Sequence, residues 1–227
     1  MCPRSSIRPD YSRAERLSDA VVHVLGLAVV LTAVPVLITR AAEWRGDVTA
    51  IVATAIYGGT FLAMILFSAL YHMVPLERWK GVLKRLDHSA IYFKIAGTYT
   101  PFTLLSGGHG TALLTGLWGA AVAGSGLKIL APNRFRWLGL VLYLGMGWVG
   151  VVAGWAVFAE LSGPVLWLVV AGGALYSIGV VFFLWEVLPF HNTIWHVFVL
   201  AASILFYAAV LMHLADTAVL FAGSGAD

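Results

Sequence analysis

Residues 48–73 read VTAIVATAIYGGTFLAMILFSALYHM and contain no Asp, Glu, Lys or Arg. A helix needs about 20 consecutive, predominantly apolar residues to cross the hydrocarbon core of a bilayer. This run exceeds that length and carries no charged side chain that would oppose insertion. It therefore predicts a helix that spans a membrane.

Six further apolar runs of similar length lie on either side of this one. Short breaks that are polar or contain Gly or Pro separate them, which is typical of connections at a membrane surface. The seven predicted spans cover residues 20–39, 48–73, 88–106, 111–131, 137–158, 164–185 and 192–214. We therefore predict an all-α integral membrane protein, with a seven-helix membrane domain at 18–222 and tails at 1–17 and 223–227.

The composition points the same way. Of the 227 residues, 60% are hydrophobic and 11% are charged, against about 45–50% and about 25% in soluble domains. This composition argues against soluble enzymes, secreted domains and nucleic-acid-binding proteins. Because Cys2 is the one cysteine in the sequence, it forms no intrachain disulfide, and a metal site would have to use His and carboxylate ligands.

The basic residues are unevenly distributed between the two sides of the predicted bundle. If the N-terminus is cytoplasmic, the outer segments hold only Arg40 and Arg45, and Lys94 lies within a span. The inner side then holds Arg4, Arg8, Arg13, Arg16, Arg78, Lys80, Lys84, Arg85, Lys128, Arg134 and Arg136. By the positive-inside rule, we predict a cell-membrane protein with a cytoplasmic N-terminus and an external C-terminus.

Several polar side chains share one layer of this topology. Ionisable groups inside a membrane are costly and mark function by default. The polar side chains near the inner leaflet are Ser68, His72, Asp87, His191 and His196. Two or three imidazoles with a carboxylate and a hydroxyl form the donor set of a catalytic zinc site, in which three protein ligands leave one position open for water. In such a site, Ser68 and Asp87 would hold the water or orient an imidazole.

Most of these residues also have a simpler structural explanation. His72 would be an interfacial side chain, Asp87 would cap the third helix, and Ser68 would bond to the carbonyl one turn earlier. His196 resists such an explanation because it lies about one turn inside an apolar span, where an unpaired polar ring is expensive. His23 lies at a similar depth in the first span and is a candidate for contact with the site.

Lys94 follows Asp87 by about two helical turns on a similar face. A lysine at this depth either extends its side chain to the inner surface or pairs with an acidic group. The sequence leaves both interpretations open.

Four blocks of sequence carry a resemblance to a known family. They are Ser68-x-x-x-His72, LDHSAIYFKIAGTYTPF at 86–102, LYLGMGW at 142–148 and HNTIWHVFVLAAS at 191–203. In this order they resemble the hemolysin III branch of the progestin and AdipoQ receptor family, over essentially the whole membrane domain. The resemblance implies seven helices, an internal N-terminus and a zinc ion held by three histidines at the inner leaflet, with His72 and His196 as ligands and Ser68 and Asp87 completing the site. The chain is also similar to alkaline ceramidases, which suggests hydrolysis of a lipid amide.

The third zinc ligand does not transfer directly from the family pattern. Receptor-type members have His-x-x-x-His in the last helix, whereas here the position four before His196 is Asn192. His191 is five residues before His196, and on a regular helix such residues diverge by about 140°. Because Pro189 places His191 at or before the helix start, we assign His191 as the third ligand, with Asn192 as the alternative.

These residues are compatible with two functions. One is a zinc-dependent hydrolase of a lipid amide. The other is a non-enzymatic membrane-homeostasis or lipid-sensing, receptor-like protein in which the zinc is structural. A membrane lipid is the expected substrate or ligand in both. A third function, a pore-forming cytolysin, is disfavoured because no polar stripe runs along a helix to line a pore.

Overall fold

The computed structural model describes residues 11–75, 77–107, 110–130 and 136–224. Within these residues the chain is helical and contains no β-strand, which confirms the predicted fold class. The helices are α1 (Arg13–Trp44), α2 (Val48–Met73), α3 (Lys80–Leu105), α4 (Thr111–Leu130), α5 (Arg136–Ala153), α6 (Trp155–Phe158), α7 (Gly163–Leu184) and α8 (His191–Ser224).

Most predicted spans correspond to one long helix, and several helices continue beyond the predicted span. The helix α3 starts at Lys80, two turns before the predicted span at 88–106, and α8 continues past residue 214 to Ser224. The predicted span at 137–158 is divided at Gly154, which separates α5 from the four-residue α6. Apolar length locates a membrane crossing, but a helix extends further wherever its backbone can continue into the polar flanks.

Within the described residues, five helices are long and apolar enough to cross a membrane: α1, α2, α4, α7 and α8. The helix α5 is apolar but shorter. The helix α3 is more polar because it carries Lys84, Arg85, Asp87 and Lys94. Charged residues within a membrane bundle are candidates for functional roles.

The helices α2 and α8 each contact both α1 and α3. The helix α2 packs along both α1 and α3, while α7 packs along α8. Core side chains at these contacts include Tyr57, Phe61 and Phe102, all fully or almost fully buried. The start of α8 therefore lies beside the start of α1, at the end of the bundle where α2 ends and α3 begins.

Close packing of α2 against α3 depends on Gly97, where an added Cβ atom would overlap the Thr60 side chain. We expect Gly97→Ala to destabilise the protein by about 1–3 kcal/mol, as other overpacked cores are. Gly59→Ala is the matched control because a Cβ atom there would have no neighbour within 4 Å. Thermal unfolding in detergent should show a lower midpoint for Gly97→Ala and an unchanged or higher midpoint for Gly59→Ala. Equal midpoints for the two variants would contradict the packing argument.

Candidate metal centre

The end of α2, the start of α3 and the first turns of α8 converge on one cluster of polar side chains. The ring centroids of His72 and His196 are 4.7 Å apart. Asp87 lies close enough to His196 and Ser68 to interact electrostatically with both. The structure therefore brings together four of the five site residues predicted from the sequence.

The helix α1 adds a carboxylate that the sequence prediction missed. Asp19 Oδ1 lies 2.6 Å from Nδ1 of His196, and Asp19 Oδ2 lies 3.4 Å from Nδ1 of His72. The residue is buried, with 8% of its surface exposed. Asp19 thus bridges the two histidines that the sequence selected as ligands.

The same helix contributes a third imidazole, that of His23. Its Nδ1 lies 2.8 Å from the backbone oxygen of Asp19, and its Nε2 lies 3.1 Å from Ser68 Oγ. The ring centroid of His23 is 4.5 Å from that of His196 and 5.3 Å from that of His72. The sequence signal for this pair was the Asp-x-x-x-His spacing, which places Asp19 and His23 on one helical face.

His191 begins α8, as the position of Pro189 predicted, but its ring has a different neighbour. Its Nε2 lies 3.0 Å from the hydroxyl of Tyr11, and the two rings stack at 5.9 Å. The preceding residue, Phe190, has a positive φ of 61°, and its N–H donates to Glu15 Oε1 at 3.0 Å. The positive φ of Phe190 and its contact with Glu15 fix the start of α8. At this start, the ring of His191 contacts Tyr11 and not the other histidines.

The simpler explanations of Asp87 and Ser68 do not hold. Asp87 does not cap α3, because the helix begins at Lys80 and Asp87 lies in its third turn, almost fully buried. The Ser68 hydroxyl contacts the ring of His23. Both side chains therefore belong to the cluster.

The cluster lies at one end of a large cavity inside the helical bundle. The cavity has a volume of about 970 Å³ and is lined by residues of all eight helices described above. Away from the histidines its walls include Ile65, Ile95, Leu200 and Phe206. Cavities of about 300–1,000 Å³ with apolar walls and a few polar groups are typical of small-molecule sites.

The family model described as "Haemolysin-III related" matches residues 12–207, a range that contains every residue of the cluster. The chain belongs to the haemolysin-III related family. This confirms the resemblance inferred from the four sequence blocks. Together with the five long apolar helices, family membership identifies a multi-pass integral membrane protein.

Two bacterial relatives of this haemolysin-III related protein match it over most of their length. Hemolysin-3 of Bacillus cereus is 39% identical over 206 residues, which cover 90% of this chain and 94% of the relative. The Hemolysin-3 homolog of Bacillus subtilis (strain 168) is 40% identical over 201 residues, covering 88% and 94%. The Monocyte to macrophage differentiation factor of Homo sapiens is 29% identical over 169 residues, covering 70% and 69%.

In this haemolysin-III related protein, the cluster has the donor set of a metal site. One potential ligand atom from each of Asp19, His23 and His196 lies within 4.8 Å of the others. His72 joins the group through its 3.4 Å contact with Asp19. Imidazole nitrogens and carboxylate oxygens bind divalent transition metals, so these residues fit such an ion in chemistry and in proximity.

Asp19 also orients the three imidazoles in a common way. Each ring directs Nδ1 toward Asp19, either to its carboxylate (His72 and His196) or to its backbone oxygen (His23). Metal-binding histidines commonly use one ring nitrogen for such a partner and the other for the metal. The Nε2 atoms of His72 and His196 are therefore available to an ion, and Nε2 of His23 would have to exchange its contact with Ser68 Oγ for the ion.

Proposed function

We propose that the protein is a zinc-dependent hydrolase that cleaves an amide bond of a membrane lipid. One observation carries the proposal, namely that three imidazoles with Nδ1 held by Asp19 lie beside Asp87 and Ser68 at the end of an apolar cavity. Lipid tails fit the apolar walls, while the polar cluster offers the groups that hydrolysis requires. When bound, zinc would polarise the amide carbonyl and lower the pKa of a bound water.

The ligands proposed for zinc are histidines. His72 and His196 are ligands in the assignment from the sequence, and both lie in the cluster. For the third position the sequence predicts His191, with Asn192 as the alternative, whereas the geometry favours His23. The contact of His23 Nδ1 with the Asp19 backbone oxygen supports this choice, since it holds the ring beside that of His196.

The chain's own residues supply the proton transfers in this proposal. Asp87 is the carboxylate placed to take a proton from the attacking water and to pass it to the amide nitrogen as the C–N bond breaks. Ser68 lies between Asp87 and His23 and fixes the position of both side chains. Asp19 keeps the imidazoles oriented and does not touch the substrate.

The test is turnover by the purified, reconstituted protein. With a long-chain ceramide as the lipid amide, we expect release of free fatty acid, detected by mass spectrometry, that a chelator abolishes and added zinc restores. The variant His196→Ala should be inactive. Asp216→Asn is the control, because this carboxylate accepts from Ser162 near the far end of α8 and lies outside the cluster.

Two results would overturn the hydrolase proposal. Turnover that a chelator leaves unchanged would exclude a role for the metal. Stoichiometric zinc without turnover would instead favour the receptor-like function, in which zinc stabilises the bundle and the cavity binds lipid without cleaving it.

A further inference from the structure

Basic side chains line the cavity at the end that holds the histidine cluster. This basic layer consists of Arg16, Lys80, Lys84 and Lys128. Arg16 precedes Asp19 by three residues on α1, and Lys84 precedes Asp87 by three residues on α3. Residues at this spacing share a helical face and are about 4.5 Å apart along the axis. Arg16 and Lys84 therefore lie about one turn from the two carboxylates of the cluster, toward the starts of their helices.

Two cations of the basic layer converge on His88. Lys84 and Lys128 both lie close enough to its ring to interact electrostatically with it. Gly139 of α5 leaves room for the Lys128 side chain, because a Cβ atom added there would lie 2.5 Å from Lys128 Nζ and 3.0 Å from the Tyr92 hydroxyl. Tyr92 donates to the backbone oxygen of Gly139 at 3.1 Å. The ammonium group of Lys128 is thus held beside α3 and α5, at the cavity wall.

The carboxylates near the basic layer do not balance its charge. Lys80 forms an exposed ion pair with Glu77, which leaves three cations of the layer. Outside the histidine cluster, the carboxylates of the described residues that line the cavity are Glu15 and Glu186. The Glu15 carboxylate also accepts hydrogen bonds from the backbone N–H groups of Ser12 and Phe190. The layer is therefore net positive.

Lys94 also lines the cavity but lies apart from the basic layer. Its Nζ donates to Thr98 Oγ1 at 3.1 Å and lies 3.8 Å from the ring centroid of Tyr57 and 4.7 Å from that of Phe61. Its exposed fraction is 3%, and in the part of the chain that the structure describes no carboxylate lies within ion-pair distance. Neither sequence interpretation of Lys94 therefore holds, and its amine is enclosed between α2 and α3.

The basic layer has the donor groups that bind phosphate. Lysine and arginine donate charge-assisted hydrogen bonds to phosphate oxygens, and these bonds are stronger than bonds between neutral groups. A phosphate monoester carries a charge of about −1.5 to −2 at pH 7, as in phosphoserine. One such group can compensate two cations that different helices bring together. Lys84 and Lys128 are such a pair.

We propose that Lys84 and Lys128, together with Arg16, bind a phosphate group. The next step rests on the proposed hydrolase: the phosphate belongs to the headgroup of the substrate, so the enzyme prefers a phosphorylated lipid amide to a neutral one. Arg16 and Lys84 lie about one helical turn from Asp19 and Asp87. A headgroup phosphate joined to the amide nitrogen through two carbon atoms spans a comparable distance. With the amide at the cluster, the phosphate reaches the basic layer.

The experiment compares ceramide 1-phosphate with ceramide of the same acyl chain, on the full-length protein in detergent after a chelator has removed metal. The two ligands differ only in the phosphate, so the contribution of the chains cancels. We expect the wild-type protein to bind ceramide 1-phosphate at least about tenfold more tightly. The double variant Lys84→Gln/Lys128→Gln should lose this preference and keep its affinity for ceramide. Arg85→Gln is the matched control, because Arg85 is exposed and does not line the cavity.

Inorganic phosphate separates the two sources of the anion. At a concentration equal to that of the lipid, it should leave the preference unchanged, because the attached chains raise the effective concentration of the lipid phosphate at the layer. Loss of the preference under these conditions would overturn the assignment to a lipid headgroup in favour of free phosphate.

Equal affinities of the wild-type protein for the two lipids would overturn the phosphate site, and this comparison needs no variant. A preference that survives in the double variant would also overturn it. Failure of the hydrolase proposal is measured separately, as turnover by the zinc-loaded protein. A preference for ceramide 1-phosphate without turnover of either lipid would overturn the hydrolase and support the phosphate site, whereas turnover of both lipids with equal affinities would do the reverse.

Discussion

Replacing His23 with alanine is expected to abolish tight zinc binding as completely as replacing His196, whereas His191→Ala is expected to retain it. The His23 ring lies 4.5 Å from that of His196 and its Nδ1 is held by the Asp19 backbone. The ring of His191 instead stacks on Tyr11 and lies outside the group of ligand atoms formed by Asp19, His23 and His196. For His23→Ala and His196→Ala we expect zinc affinity to fall by more than about 10–100-fold, which is the usual effect of removing a residue that only orients a metal ligand. Titration of purified variants against a competing chelator measures them.

The control for this series is His213→Ala. His213 is a buried imidazole beside Ser106, near the far end of α8, so its removal tests the cost of deleting a buried histidine without a ligand role. Zinc affinity should be unchanged. Loss of zinc in His191→Ala with retention in His23→Ala would support the assignment made from the sequence. Loss of zinc in Asn192→Ala would instead support the alternative in which Asn192 and His196, four residues apart on a regular helix, both bind the ion.

The second large effect concerns Asp87. We expect Asp87→Asn to lower the turnover of a lipid amide by about 10²–10⁴-fold, the usual contribution of a general acid or base. Zinc should remain bound, because the imidazoles are held by Asp19 and not by Asp87. The measurements are initial rates of fatty-acid release together with the metal content of the same preparation.

Asp216→Asn, a carboxylate variant outside the cluster, should show wild-type rates in this assay. An Asp87→Asn protein that turns over normally would remove Asp87 from the proposed chemistry. One that loses its zinc together with activity would show that Asp87 supports the metal and not the proton transfer.

The sequence by itself determined the membrane character, the helical class and much of the site. Apolar length is a local property, so the run at 48–73 predicted α2 without knowledge of its neighbours. Depth along a helix also follows directly from the sequence, because each residue advances the chain by about 1.5 Å. That is why Ser68, His72, Asp87 and His196 were assigned to a common layer and meet in the structure.

The start of α3 was predicted less well than the bounds of α2, which match the predicted run at 48–73. The charged residues at the start of α3 were read as a loop, yet they form two helical turns that place Asp87 inside the helix. As a result, Asp87 faces the cluster and does not cap a helix. Hydropathy reports where a helix enters lipid, and it is insensitive to helical turns outside the apolar core.

Only the tertiary structure decided which faces of the helices meet. Asp19 and His23 join the cluster because α1 packs beside α2 and α8, and the ring of His191 contacts Tyr11 beside the Glu15–Phe190 contact. Lys94 is enclosed by Tyr57 and Phe61 because α3 packs on α2. Rotation about a helix axis is fixed by partners distant in the chain, through close packing and buried hydrogen bonds, whereas length and depth are local.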